Sequence, residues 1–249
     1  MRIIISPAKK MKVDVDSLEP TAQPALLDKS RQLANWMRDL PFARQKELWE
    51  CSDAIARESA RQFAEMNLAA AATAALLAYD GIQYTYMAPA VFEDGQLAYV
   101  QDHLRILSGF YGVLRPMDAV VPYRLELKTK GAPSPARNLY EFWGSDIYEA
   151  VMSGNADRTV VNLASKEYSR AVERWLRPGD RFVTCVFSQL EGQRVMQKGV
   201  YAKMARGEMV RYMASVGAAE PEVMRAFDWS GYRFDPERST DDTYVFVKG

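Results

Sequence analysis

With 249 residues, 48% of them hydrophobic and 26% charged, the chain has the size and balance of one large globular domain spanning residues 1–249. Its 32 basic and 32 acidic residues cancel, which excludes binding of a polyanion by bulk charge and leaves only local basic clusters for that purpose. No apolar run approaches the roughly 20 residues of a membrane helix, and one histidine with two distant cysteines is too few for a soft-metal, haem or iron–sulfur centre. The expectation is a cytoplasmic monomer without membrane partner, metal or cofactor, although a Mg²⁺ held by carboxylates stays open.

In chain order, Arg2–Ile5 is a short β-branched run that predicts a buried strand, too short for a signal peptide. Ser6-Pro7-Ala8-Lys9-Lys10 is the loop behind it. Leu26, Leu27, Leu33, Met37 and Leu40 recur at spacings of three and four and predict a helix, with Pro41 starting a second and Ser52-Asp53 a third. The Ala-rich stretch Leu68 to Leu77 predicts a fourth, and this half carries no evident chemistry. From Ile82 to Met87 an aromatic alternation reads as a strand or edge.

Asp94-Gly95 then opens a helix expected to run through Leu107 and to stop at Ser108-Gly109. The stretch Leu104 to Pro116 contains two glycines, Gly109 and Gly112, flanked by Arg105 and Arg115. A small glycine turn between two helices offers backbone N–H groups to a phosphate, as in a helix-hairpin-helix. The alternative is an ordinary αα-turn with a glycine cap.

Val120 to Leu127, with Pro122, is expected to be extended, Asn138 to Met152 helical, and Val160 to Ala164 a strand followed by a helix capped at Ser165. Arg181 to Phe187 and Val195 to Val200 suggest a hairpin, Tyr201 to Met213 a basic helix, and Tyr232 to Phe234 with Tyr244 to Val247 two final strands. Helices first and mixed elements later give an α+β (mixed α/β) fold with an N-terminal helical half and a mixed sheet. Basic residues cluster in three segments, around Arg2 to Lys12, Arg115 to Arg137 and Arg194 to Arg211, which either converge on one groove or form solvated faces.

Six segments in order carry a resemblance. Ile4-Ile5-Ser6-Pro7-Ala8-Lys9, Leu107 to Pro116, Pro122-Tyr123-Arg124-Leu125-Glu126, Leu139 to Gly144, Asn162-Leu163-Ala164-Ser165 and Lys203 to Gly207 together resemble the YaaA family of bacterial peroxide-stress proteins, over essentially the whole chain. Lys10 stands where that family commonly has Thr. The resemblance implies a single-domain α/β fold with a helix-hairpin-helix, a positively charged cleft, binding of double-stranded or branched DNA, and a role in limiting iron-driven oxidative damage. On this reading Ser108, Gly109, Tyr111, Gly112 and Arg115 form the hairpin segment, and Lys9, Lys203 and Arg206 belong to the cleft.

A second reading is an enzyme acting on a nucleotide or small phosphorylated metabolite. Ser6, Lys9, Tyr123, Arg124, Asn162, Ser165, Tyr168 and Arg206 all fall on loops or element ends, where ligand-binding groups concentrate. Lys9 and Arg206 suit an anion, and Asn162 and Ser165 mark a strand-to-helix junction, although a plain helix cap explains those two as well. The sequence holds no P-loop, dinucleotide fingerprint or nucleophile elbow. The two readings separate on whether Lys9, Arg124, Asn162 and Arg206 meet in a deep cavity or line an open groove.

Overall fold

Three consecutive isoleucines in Arg2–Ile5 are fully buried, and a strand with both side-chain faces apolar needs a covering layer on each side. In the computed structural model, which describes residues 1–192 and 194–249, this strand, β1, sits inside an eight-stranded sheet. Its neighbours are β2 (Leu104–Ser108) and β4 (Thr159–Leu163), both parallel to it, with Ile4 opposite Arg105 on one side and Asn162 on the other. β3 (Gly112–Leu114) turns back antiparallel on β2 at one edge. Beyond β4 lie the long β5 (Arg181–Glu191) and β8 (Thr243–Lys248), both parallel, and then β7 (Tyr232–Phe234), antiparallel at the other edge. β6 (Arg194–Met196) pairs with the end of β5 as the expected hairpin.

The predicted N-terminal helices are present as α1 (Leu27–Asp39), α2 (Phe42–Trp49) and α3 (Asp53–Glu65). Later come α4 (Ile82–Met87), α5 (Asp94–His103), α6 (Leu139–Trp143), α7 (Asp146–Met152), α8 (Lys166–Glu173) and α9 (Gly199–Val216). The fold is a mixed α/β domain, and no helix among the described residues is long and apolar enough to cross a membrane.

Four local expectations are corrected. The Ala-rich stretch is not one helix but a 3₁₀ turn at Leu68–Ala70, a bridge at Thr73–Ala74 and a single helical turn at Ala75–Ala78, all of the last buried. Ile82–Met87 is helical, because packing against α9 buries Gln83, Tyr84 and Met87 on one side. The helix predicted over 138–152 breaks at Gly144, whose φ of 55° lies in the left-handed region.

The fourth correction concerns the glycine turn. α5 ends at His103, and Leu104 to Ser108 continue as strand, not helix. The turn therefore joins two antiparallel strands, and no helix-hairpin-helix exists here. The physical reason is tertiary: β2 is buried along its length and hydrogen-bonded to β1 on one edge and to β3 on the other, whereas a helix would leave those strands unpaired. Nor do the turn amides face solvent. Ser108 Oγ accepts the N–H groups of Phe110 (3.1 Å) and Tyr111 (2.8 Å). Tyr111 Oη accepts the N–H of Val121 at 3.1 Å, and Trp143 Nε1 donates to the Gly109 carbonyl at 3.1 Å. A Cβ on Gly109 would collide with the Leu125 carbonyl, so that glycine admits a neighbouring stretch of protein backbone, not a phosphate.

Candidate functional site

The chain leaves β1 towards β2 on one side and returns to β4 on the other. Between such diverging connections the loops after the strands separate and leave a crevice at the carboxyl edge, the usual ligand position in open α/β sheets. A cavity of about 550 Å³ lies there. The β1 loop gives Ser6 to Lys10, the stretch before and within α4 gives Asp80 to Tyr84, and the extended segment after the hairpin gives Tyr123 to Glu126. Ser165, Glu167 and Tyr168 come from the start of α8, and Lys203 and Arg206 from α9.

Each contributor is held by identifiable contacts. Ser6 Oγ accepts the Ser165 N–H at 2.8 Å and lies 3.3 Å from Ser165 Oγ, locking the β1 and β4 loops together. The Ser165 hydroxyl thus serves the cavity floor and makes no side-chain cap to its helix. Tyr84 Oη donates to the Ser6 carbonyl at 3.1 Å. Asn162 does not line the cavity. Its Oδ1 accepts the Ala164 N–H at 2.9 Å and its Nδ2 reaches Thr184 Oγ1 at 3.3 Å, bracing the strand end beneath. Trp49 Nε1 donates to the Arg124 carbonyl at 2.6 Å and so fixes that residue from the helical layer.

Ser108 of the glycine turn reaches the site through Tyr123: Ser108 Oγ is 2.6 Å from Tyr123 Oη, which is 2.9 Å from Tyr79 Oη. Burial pushes the Tyr123 phenol up to about 12, and Tyr79, Tyr84 and Tyr168 are raised by burial as well, so the aromatic wall stays neutral at physiological pH. Burial also raises the Glu167 carboxyl above its ordinary range, with the neighbouring Glu126 charge adding to it.

Charge is arranged with one asymmetry. Glu126 gathers Lys9 (2.9 Å), Lys128 (3.6 Å) and Arg124 (3.8 Å), and Lys10 pairs with Asp80 at 2.6 Å. Arg206 has no carboxylate partner among the described residues. Its Nε is buried without a hydrogen bond, as is the Arg124 Nε, and burial lowers its pKa. Lys203, exposed at the rim, is likewise without an ion-pair partner among the described residues. Five cationic side chains against three acidic ones leave the cavity positive in a molecule whose total charge is zero.

One residue or more from each basic segment therefore converges here: Lys9, Arg124, and Lys203 with Arg206. The side chain of Arg194 lies outside the described residues. Of the positions assigned to DNA contact, Lys9, Lys203 and Arg206 line the cavity, whereas Ser108, Gly109, Tyr111 and Gly112 are buried and Arg115 stands at the opposite edge of the sheet. Of the small-molecule set, all but Asn162 line it. Sequence reasoning missed Tyr84, Glu126 and Glu167; the proximity of Glu126 to Arg124 was the one local signal available.

Neither cysteine belongs to the site. Cys185 is 1% exposed and its thiol is pushed up to about 12 by burial, which withholds the thiolate that peroxide or an alkylating agent attacks. Iodoacetamide on the native protein at pH 8 is expected to modify the half-buried Cys51 first and to leave Cys185 intact by mass spectrometry. Modification of both at equal rates would show that β5 opens readily.

Comparison with known proteins places this architecture. The family model described as peroxide stress protein YaaA matches residues 1–238. A UPF0246 protein of Agathobacter rectalis is 47% identical over 248 residues, covering 100% of this chain and 99% of the relative. Another, from Desulfitobacterium hafniense, is 48% identical over 248 residues, covering 100% and 98%. A third, from Lachnoclostridium phytofermentans, is 46% identical over 249 residues, covering 100% and 97%. Matches of this extent leave no segment of the fold unaccounted for, and the chain belongs to the YaaA family of peroxide-stress proteins.

Proposed function

We propose that this peroxide-stress protein works through a small anionic ligand, a nucleotide or phosphorylated metabolite, held in the cavity at the carboxyl edge of the sheet. The observation that carries the reading is Arg206, a largely buried guanidinium on the cavity wall with an unbonded Nε and no carboxylate partner among the described residues. An unpaired buried cation is expensive to maintain unless a ligand completes it. Arg124 presents a second unbonded Nε in the same cavity, and two planar forks suit a phosphate better than two point charges do. The neutral tyrosines and Ile82 supply apolar surface for a base or other flat group.

Isothermal titration with the four ribonucleoside monophosphates tests this. At least one is expected to bind, with affinity reduced roughly 10- to 100-fold in Arg206→Gln, the loss of one charge-assisted interaction. Binding unchanged by Arg206→Gln would remove the cavity from consideration.

The rim supports a second reading. Lys9, Lys203 and Arg206, assigned to DNA contact on the family resemblance, lie together at this cavity, so a DNA phosphate would meet the same cations. If none of the monophosphates binds while duplex or branched DNA does, with a log–log salt slope near −0.9 per phosphate that becomes shallower in Lys203→Gln, the polymer replaces the metabolite as ligand.

A further inference from the structure

The opposite edge of the sheet carries a second concentration of positive charge. Arg2 begins β1, Arg105 is the second residue of β2, and Arg115 directly follows β3. The register, with Ile4 opposite Arg105 and Ile106 opposite Leu114, brings all three to the amino edge of the parallel strands. They border a cleft of about 330 Å³ whose lining includes Asp118 as its single carboxylate.

That carboxylate is already engaged. Asp118 Oδ2 accepts the Arg115 backbone N–H at 2.8 Å and Oδ1 lies 3.6 Å from Arg115 Nε. Arg105, only 7% exposed, donates through Nη1 to the carbonyls of Leu104 (2.7 Å) and Gln101 (3.3 Å) and to no carboxylate among the described residues. Arg2 donates to the carbonyls of Ser153 (2.8 Å) and Asp102, and its Nε is buried without a partner. Asp102 and Asp157 act on Arg2 only at longer range and do not line the cleft. Burial, followed by the charges of Arg2 and Arg115, pushes the Arg105 guanidinium down to about 10, so the three cations repel one another across the cleft.

Three guanidiniums against one carboxylate leave the lining of the cleft net positive, with Asp102 and Asp157 offsetting that charge only from outside it. The carbonyl contacts of Arg2 and Arg105 hold the side chains in place without supplying a counter-charge. Apolar residues would fill the same space without the desolvation penalty. We propose that the Arg2–Arg105–Arg115 cleft binds a doubly charged phosphate-type oxyanion, inorganic phosphate or the phosphoryl group of a small metabolite. The site is separate from the cavity at the carboxyl edge and does not depend on the reading given for it. A tetrahedral dianion offers acceptors to several guanidinium forks at once and neutralises the excess charge.

Thermal melting in sodium phosphate against sodium chloride at matched ionic strength tests the site. In a tenfold excess over Kd, phosphate is expected to raise the wild-type melting temperature by roughly 3–6 °C beyond chloride. Arg115→Gln, at a residue whose side chain is 47% exposed and whose loss should leave the fold intact, is expected to remove most of that rise. Arg105→Met is expected to abolish it. Repeating the measurements in an Arg206→Gln background, where the carboxyl-edge cavity has lost its own phosphate-binding cation, separates this cleft from that cavity, because the remaining rise should still depend on Arg115. Absence of a phosphate-specific rise in the wild type, or its persistence in Arg115→Gln, would overturn the proposal. So would a response to a short DNA duplex that depends on Arg115 when free phosphate gives none, since the cleft would then serve a polymer.

Discussion

Gly207→Ala is expected to lower the melting temperature by roughly 6–12 °C, the opposite of what a glycine-to-alanine change does in an ordinary helix interior. Helix propensity alone favours alanine by about 1 kcal/mol. Here a Cβ would overlap the Gln83 carbonyl oxygen and approach the Met87 amide nitrogen to 2.8 Å. Both are backbone atoms of α4, and no rotamer change relieves the contact, so α9 must move away from α4. Overpacking of this kind costs about 3 kcal/mol, which for a domain of this size gives the stated shift. α9 carries Lys203 and Arg206 and α4 carries Tyr84, so the same displacement widens the cavity, and nucleotide affinity is expected to fall with stability. A melting temperature at or above wild type would show that the two helices do not pack as closely as described.

Gly112→Val is expected to be as damaging, through two additive effects. Gly112 has a φ of 72°, which penalises any side chain by about 1–2 kcal/mol and a β-branched one by more. Its Cβ would also lie 2.9 Å from Leu26 Cδ1 and 2.9 Å from Trp143 Cζ3. The Trp143 ring cannot swing aside, because it is 1% exposed and anchored to the Gly109 carbonyl. Gly179→Val isolates the first effect, since that glycine has a φ of 90° and a Cβ added there would meet nothing within 4 Å. The Gly112 variant should melt several degrees below the Gly179 variant. Equal melting temperatures would mean that the turn is less tightly enclosed than its contacts imply.

The fate of that turn shows which parts of the molecule can be read from sequence. Arg2–Ile5 is legible because three adjacent isoleucines admit one explanation, a strand covered on both faces. Leu104, Ile106 and Leu107 fit a strand or a helix, and Arg105 reads as a solvent-facing charge. Only the pairing of β2 with β1, about a hundred residues away in sequence, decides the matter. The same holds for Ile82–Met87, whose aromatic alternation is overridden by packing against α9.

The candidate site is more legible than its scaffold. Ser6, Ser165, Tyr123 and Arg124 stand at element ends, and the strand-to-helix junction after Asn162 does border the cavity. What sequence order hides is enclosure. Glu126 meets Lys9 from across the chain, and Ser108, read as part of a phosphate-binding turn, instead hydrogen-bonds the cavity tyrosine Tyr123. Position at opposite edges of the sheet, not sequence spacing, separates the cations at the cavity from those flanking the turn.

The most direct test of the central claim is a crystal structure of the protein grown with the tightest-binding nucleoside monophosphate. The phosphate is expected within hydrogen-bond distance of the Nε of Arg206 and of the Arg124 guanidinium, with the base against the wall of Tyr84, Tyr123 and Tyr168. A cavity holding only water while the nucleotide sits elsewhere on the molecule would contradict it.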